Sequence, residues 1–96
     1  MSAPDLEATA RIARRDGVIA QRLLDETVIL DPEAGTYLRL NPSGSWVWDR
    51  LDEPRSVEAL AQALAGEFGI EQPRARTDIT AFARDLAARG LVELNG

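Results

Sequence analysis

Two adjacent carboxylate pairs, Asp25-Glu26 and Asp52-Glu53, and two serines, Ser43 and Ser45, are the residues whose types could do chemistry in this chain of 96 residues. Paired acids perform general acid–base work when a buried setting drives their pKa values apart. Both pairs lie next to turn-forming sequence, where solvent keeps carboxylates ionised, so they read as solvated turn acids. A serine becomes a nucleophile when a neighbouring base takes its proton. The chain has no histidine and no cysteine, which removes the commonest general base, thiol chemistry, disulfides and the commonest metal ligands together. The residues therefore point to a non-enzyme, with no catalytic residue, no metal site and no cofactor expected.

All eleven basic residues are arginine, and the formal net charge is −5. Residues 1–35 carry four arginines against seven acids, residues 36–70 three against five, and residues 71–96 four against four. A nucleic-acid binder places an excess of positive charge against phosphates, and no third of this chain has one. Arg74, Arg76, Arg84 and Arg89 fall in the last helical segment, where Arg76 and Arg84 lie about 80° apart and Arg89 shares the other flank with Asp78 and Asp85. They do not form one basic face. There is no apolar run long enough to span a bilayer and no basic start followed by an apolar stretch, so a cytoplasmic protein with no membrane contact is expected.

The elements that would position these residues can be read from pattern. Length and 45% apolar content suit one domain with one core. Residues 1–15 have a polar start and read as a frayed tail or an added edge segment. From Val18, "VIAQRLLDETVILD" reads as two strands joined tightly, with a polar break at Asp25-Glu26. The second strand, Thr27 to Leu30, ends at "DPEAG", where Asp31, Pro32 and Gly35 carry turn chemistry. A third strand follows from Thr36 to Leu40, completing an antiparallel meander. Asn41 is an N-cap and Pro42 suits a first helical position, so helix 1 is expected from Pro42 to Leu51, with Gly44, Val47, Trp48 and Leu51 on one stripe. Helix 2 follows the Ser56 cap, with Val57, Leu60, Ala61, Leu64 and Phe68 inward and Gly69 as its stop. "EQPRAR" then links to helix 3, in which Ile79, Phe82, Ala83 and Leu86 face inward and Gly90 ends the helix. "LVEL" closes the chain as an extended tail.

The expected fold is therefore α+β: a three-stranded antiparallel sheet followed by three helices, winged-helix-turn-helix-like in outline. That outline makes a DNA-binding regulator the alternative function. A meander also has an edge strand whose unpaired N–H and C=O groups can accept an extended peptide, and the third strand beside helix 3 would form such a groove. The same edge could pair with a second copy to give a homodimer. Trp46 lies about 200° from Trp48 on helix 1, so with Trp48 in the core Trp46 should be largely exposed and offer a contact for a partner enzyme or a second subunit.

The stretch "LDPEAGTYLRLNPSGSWVWDRL" resembles the signature of the PqqD-like family, the RiPP recognition elements. Gly35, Tyr37, Leu40, Asn41 and Gly44 occupy the places of its Gly-x-Tyr-x-x-Leu-Asn-x-x-Gly core, followed by Val47, Trp48 and Leu51. "SVEALAQALAGEFGI" and "DITAFARDLAARGLV" are similar to the family's second and third helices, so the likeness runs from Val18 to Leu94. It implies a non-catalytic module that binds the leader of a ribosomally made precursor peptide as an added strand and delivers it to a leader peptidase or other modifying enzyme. Carried over, the main chain of Tyr37, Leu38, Arg39 and Leu40, within the strand that starts at Thr36, would pair with the leader. Ile79, Phe82, Asp85, Leu86 and Arg89 would line the opposite wall, on whichever flank of helix 3 opens to it. The Asn-Pro-Ser-Gly-x-x-x-Trp spacing looks more like the free-standing proteins of lasso-peptide pathways than those of quinone-cofactor synthesis. On that likeness the leader would offer a Tyr and a Pro a few residues apart to apolar pockets between strand and helix.

Overall fold

The structure is a computed structural model and describes residues 9–95. Within residues 9–15 the chain is neither a frayed tail nor an added edge. Arg11–Arg14 form β1, and Ile12, 0% exposed, points from it into the core. β1 is the centre of a sheet, between the two-residue β5 (Arg55–Ser56) and β6 (Val92–Asn95), both antiparallel to it. The expected extended tail is thus a paired strand.

A second sheet has the order β2-β3-β4, built from Ile19–Leu23, Glu26–Asp31 and Thr36–Leu40. Thr27 and Ile29 are buried while Leu30 is exposed, the alternation of a strand covered on one face. The registers place Ala20, Ile29 and Leu38 in one row facing the helices, and Ile19, Leu30 and Tyr37 in the next row facing outward. The β3–β4 turn forms where expected: Asp31 Oδ1 accepts from the N–H groups of Glu33 and Ala34, and Gly35 takes φ +70°.

Asn41 caps α1 (Pro42–Asp49), its Oδ1 accepting from Gly44 N–H at 2.8 Å. The helix is shorter than expected because the chain tightens into a 3₁₀ turn, Arg50–Asp52, which carries Leu51 into the core. Ser56 caps α2 (Val57–Phe68), and Gly69 ends it in the left-handed region at φ +66°. The segment read as a linker is instead the first turns of α3 (Gln72–Ala88), since Pro73 sits where a proline costs no hydrogen bond. The strands β5 and β6 come among and after the helices, so the order is not one sheet followed by helices. The architecture is α+β, with three helices and two antiparallel sheets.

The core joins both sheets to the three helices through Ile12, Ile29, Trp48, Leu51, Leu60 and Ile79. Arg14 fastens β1 to α1: its guanidinium lies 4.5 Å from the Trp48 ring centroid and donates to the Trp48 carbonyl. Burial pushes the Arg14 pKa down, and Asp49 and Asp52 push it back up. No described helix is long and apolar enough to cross a membrane.

Candidate functional site

The third strand of the meander, β4, pairs with β3 along one side, and its other side carries no partner strand among the described residues. Every second residue there turns its N–H and C=O outward, away from β3. α3 runs beside this open edge. Between them lies a cleft of about 440 Å³.

Leu38, Arg39 and Leu40 form the strand wall of the cleft, and Asp78, Ile79, Phe82 and Asp85 the helix wall. Its base is the start of α1, from Asn41, Ser43, Gly44 and Val47. Leu64, Phe68 and Ile70, around the end of α2, complete the lining. A smaller space of about 210 Å³ shares Leu38 and reaches toward the other end of β4, where Thr36 and Tyr37 face Arg89 and Leu91. The walls are mostly apolar and the charges sit on the rim.

The local sequence explains this shape. Asn41 and Pro42 start α1 immediately after β4, so the helix begins at the foot of the open edge. Gly44 is there because of space: a Cβ would meet Phe82 Cε1 and Asn41 Oδ1 at 3.2 Å each. Its lack of a side chain lets the Phe82 ring settle against the cap. The two serines are structural, Ser43 donating to Asn41 Oδ1 and the buried Ser45 to the Leu40 carbonyl.

The expected site residues are brought together with one exception. Leu38, Arg39 and Leu40 meet Ile79, Phe82 and Asp85 across the larger space, and Thr36 and Tyr37 meet Arg89 across the smaller. Leu86 is 1% exposed and lies in the core, lining neither space. The flank of α3 that opens to the cleft is therefore the one carrying Asp78, Phe82 and Asp85. Asp85 accepts from Arg89 Nε at 3.2 Å, the ion pair their spacing suggests. Leu64, Phe68 and Ile70 were missed as site residues. Phe68 is 46% exposed at the last position of its helix, and an apolar pair straddling a capping glycine was the available signal.

Trp46 is not largely exposed as expected. Its ring meets Phe68 edge-on at 5.6 Å between centroids, and the Arg50 guanidinium stacks over it at 3.7 Å. It is half-buried and lies outside the cleft lining.

Among the described residues many of the charges sit in exposed arginine–carboxylate pairs. Glu26 pairs with Arg39, and Asp52 and Glu53 share Arg55. The Arg55 hydrogen bond holds the exposed Asp52 carboxyl below the usual carboxylate range. Arg22, Arg74 and Arg89 likewise sit against Asp49, Asp78 and Asp85. Among the described residues no group of three or more acidic side chains is placed to hold a metal ion.

Residues 26–92 match the family model of coenzyme PQQ synthesis protein D, PqqD. No curated protein matches the chain. Among solved structures, TbiB1 in complex with the TbiA(beta) leader peptide is 32% identical, with a TM-score of 0.80 over 84% of this chain and 94% of that one. Lasso peptide synthetase B1 complexed with the leader peptide is 28% identical, with a TM-score of 0.76 over 85% of this chain and 96% of that one.

Proposed function

The chain belongs to the PqqD family, and from that premise we propose that it binds the leader of a ribosomally synthesised precursor peptide as a strand added to β4. The observation that carries this reading is the open edge of β4 beside a mostly apolar cleft walled by α3. Two similar solved structures are leader-peptide complexes, and one of them is of lasso peptide synthetase B1, which supports the same use in a lasso-peptide pathway here.

The mechanism follows from energetics. Each backbone hydrogen bond to β4 contributes about 1 kcal/mol or less net, and ordering the peptide costs a comparable amount per residue. Main-chain pairing alone is therefore weak and indifferent to sequence. Apolar anchors entering the cleft against Phe82, Ile79 and Leu40 add about 1.5–3 kcal/mol each and select the peptide. The protein performs no chemistry on what it holds. It presents the leader to a separate peptidase or modifying enzyme, with the part-exposed ring of Trp46 as a contact for that enzyme. Trp46→Ala should slow processing by more than any loss of leader affinity explains, that loss being a secondary effect of the contact between its ring and Phe68 at the cleft.

Fluorescence polarisation of a labelled cognate leader, titrated at two salt concentrations with labelled duplex DNA beside it, tests the reading. Saturable leader binding that changes little with salt, and none to DNA, is expected. Salt-sensitive DNA binding without leader binding would overturn the proposal in favour of a DNA-binding regulator.

A further inference from the structure

The two spaces along β4 differ in charge, and a strand laid against β4 must cross both. The larger is rimmed by Asp78 and Asp85 on the helix wall against one cation on the strand wall, Arg39, which is already paired with Glu26. The smaller is rimmed by Arg89, the one charged residue among those that line it. Its full guanidinium charge outweighs the roughly half unit of negative charge at the end of α3. Asp85 Oδ1 takes the Nε of Arg89, which fixes the side chain while the Nη end is the part that grips a carboxylate. Both charges are half-exposed at the rim, so they act through local contact rather than long-range attraction.

Geometry converts this difference into a sequence rule. β4 runs from the basic space at Thr36 to the acidic one at Leu40, so an antiparallel strand enters at the acidic end and leaves at the basic end. Its alternate side chains share the face of Leu40, Leu38 and Thr36 and point toward α3. Calling the residue opposite Leu40 n, the inward residues are n, n+2 and n+4. Resting on the leader-binding reading above, we infer that the chain selects leaders carrying apolar residues at n and n+2 and an acidic residue at n+4, with Arg89 reading the acid. An acidic residue at n is disfavoured by Asp78 and Asp85. The order of charge also fixes direction, which backbone pairing by itself leaves open.

A displayed library of random twelve-residue peptides, selected on the folded wild-type protein and on Arg89→Glu and Arg89→Lys variants, tests this. The wild type should enrich apolar-x-apolar-x-acidic from N to C terminus. Arg89→Glu should replace the acid by Lys or Arg at the same spacing, and Arg89→Lys should keep the acid. Circular dichroism checks that the exposed substitutions leave the fold intact. An apolar motif without a charge preference, a preference unmoved by Arg89→Glu, or an acid on the N-terminal side would overturn the charge rule and leave peptide binding standing. Failure of the folded wild type to enrich any motif would overturn both.

Discussion

Phe82 and Gly44 are one device at the level of single residues. The glycine leaves room at the cap, and the ring fills it while presenting its outer face to the cleft. Phe82→Ala should weaken leader binding tenfold or more, about 1.4 kcal/mol, without loss of helicity by circular dichroism. Gly44→Ala forces the ring or the Asn41 cap to shift by a few tenths of an ångström, an overpacking that should cost about 1 kcal/mol and loosen the leader as well. Calorimetry of leader binding to each variant checks both. Arg14 belongs to stability instead: Arg14→Ala removes the side-chain donor to the Trp48 carbonyl and the guanidinium stacked on the Trp48 ring, and should cost about 1–3 kcal/mol in urea unfolding, with leader affinity unchanged. Ile79 and Phe82 were legible as inward residues of α3 from helical spacing, whereas Asp85 entered only through the family likeness, which left open the flank of the helix that faces the cleft. The reason for Gly44 was not legible, since its constraint comes from a side chain 38 positions away.

Strand addition to β4 has a consequence that no single side chain produces. Along a bound strand only alternate N–H groups face β4, the others facing solvent. N-methylation of leader residues of one parity should abolish binding, and methylation of the other parity should be tolerated, as read by polarisation. The short link between α1 and α2 has its own test. Because Arg55 holds Asp52 below the ordinary carboxylate range in the folded chain, the pair stabilises the fold above the unfolded pKa and that contribution is lost as pH falls through the folded one. Asp52→Asn should thus flatten the acid-side decline in melting temperature slightly, the small effect of an exposed pair. The β2–β3–β4 meander, the Asn41 and Ser56 caps and the Gly69 stop were legible because each is specified by neighbouring residues. β1 and β5 were not: with four and two residues they have too little length for a period, and their partners lie up to 84 positions away, as in Arg11 with Asn95.

At the scale of the whole molecule, the two sheets divide the work. The sheet centred on β1 ties residues 11–14 to residues 55–56 and 92–95 and closes the chain on itself, while the other offers its edge. Deleting residues 1–15 removes the central strand and Ile12, so the truncated chain should lose its cooperative thermal transition and leader binding together. A leader should add to β4 and nowhere else. Amide hydrogen exchange, followed residue by residue by NMR with and without saturating leader, reads this at each strand: new protection is expected at alternate amides of Thr36–Leu40, with exchange along the other open edge of that sheet, Ile19–Leu23, unchanged. Protection gained along Ile19–Leu23, or none along Thr36–Leu40 under saturation, would rule out strand addition to β4.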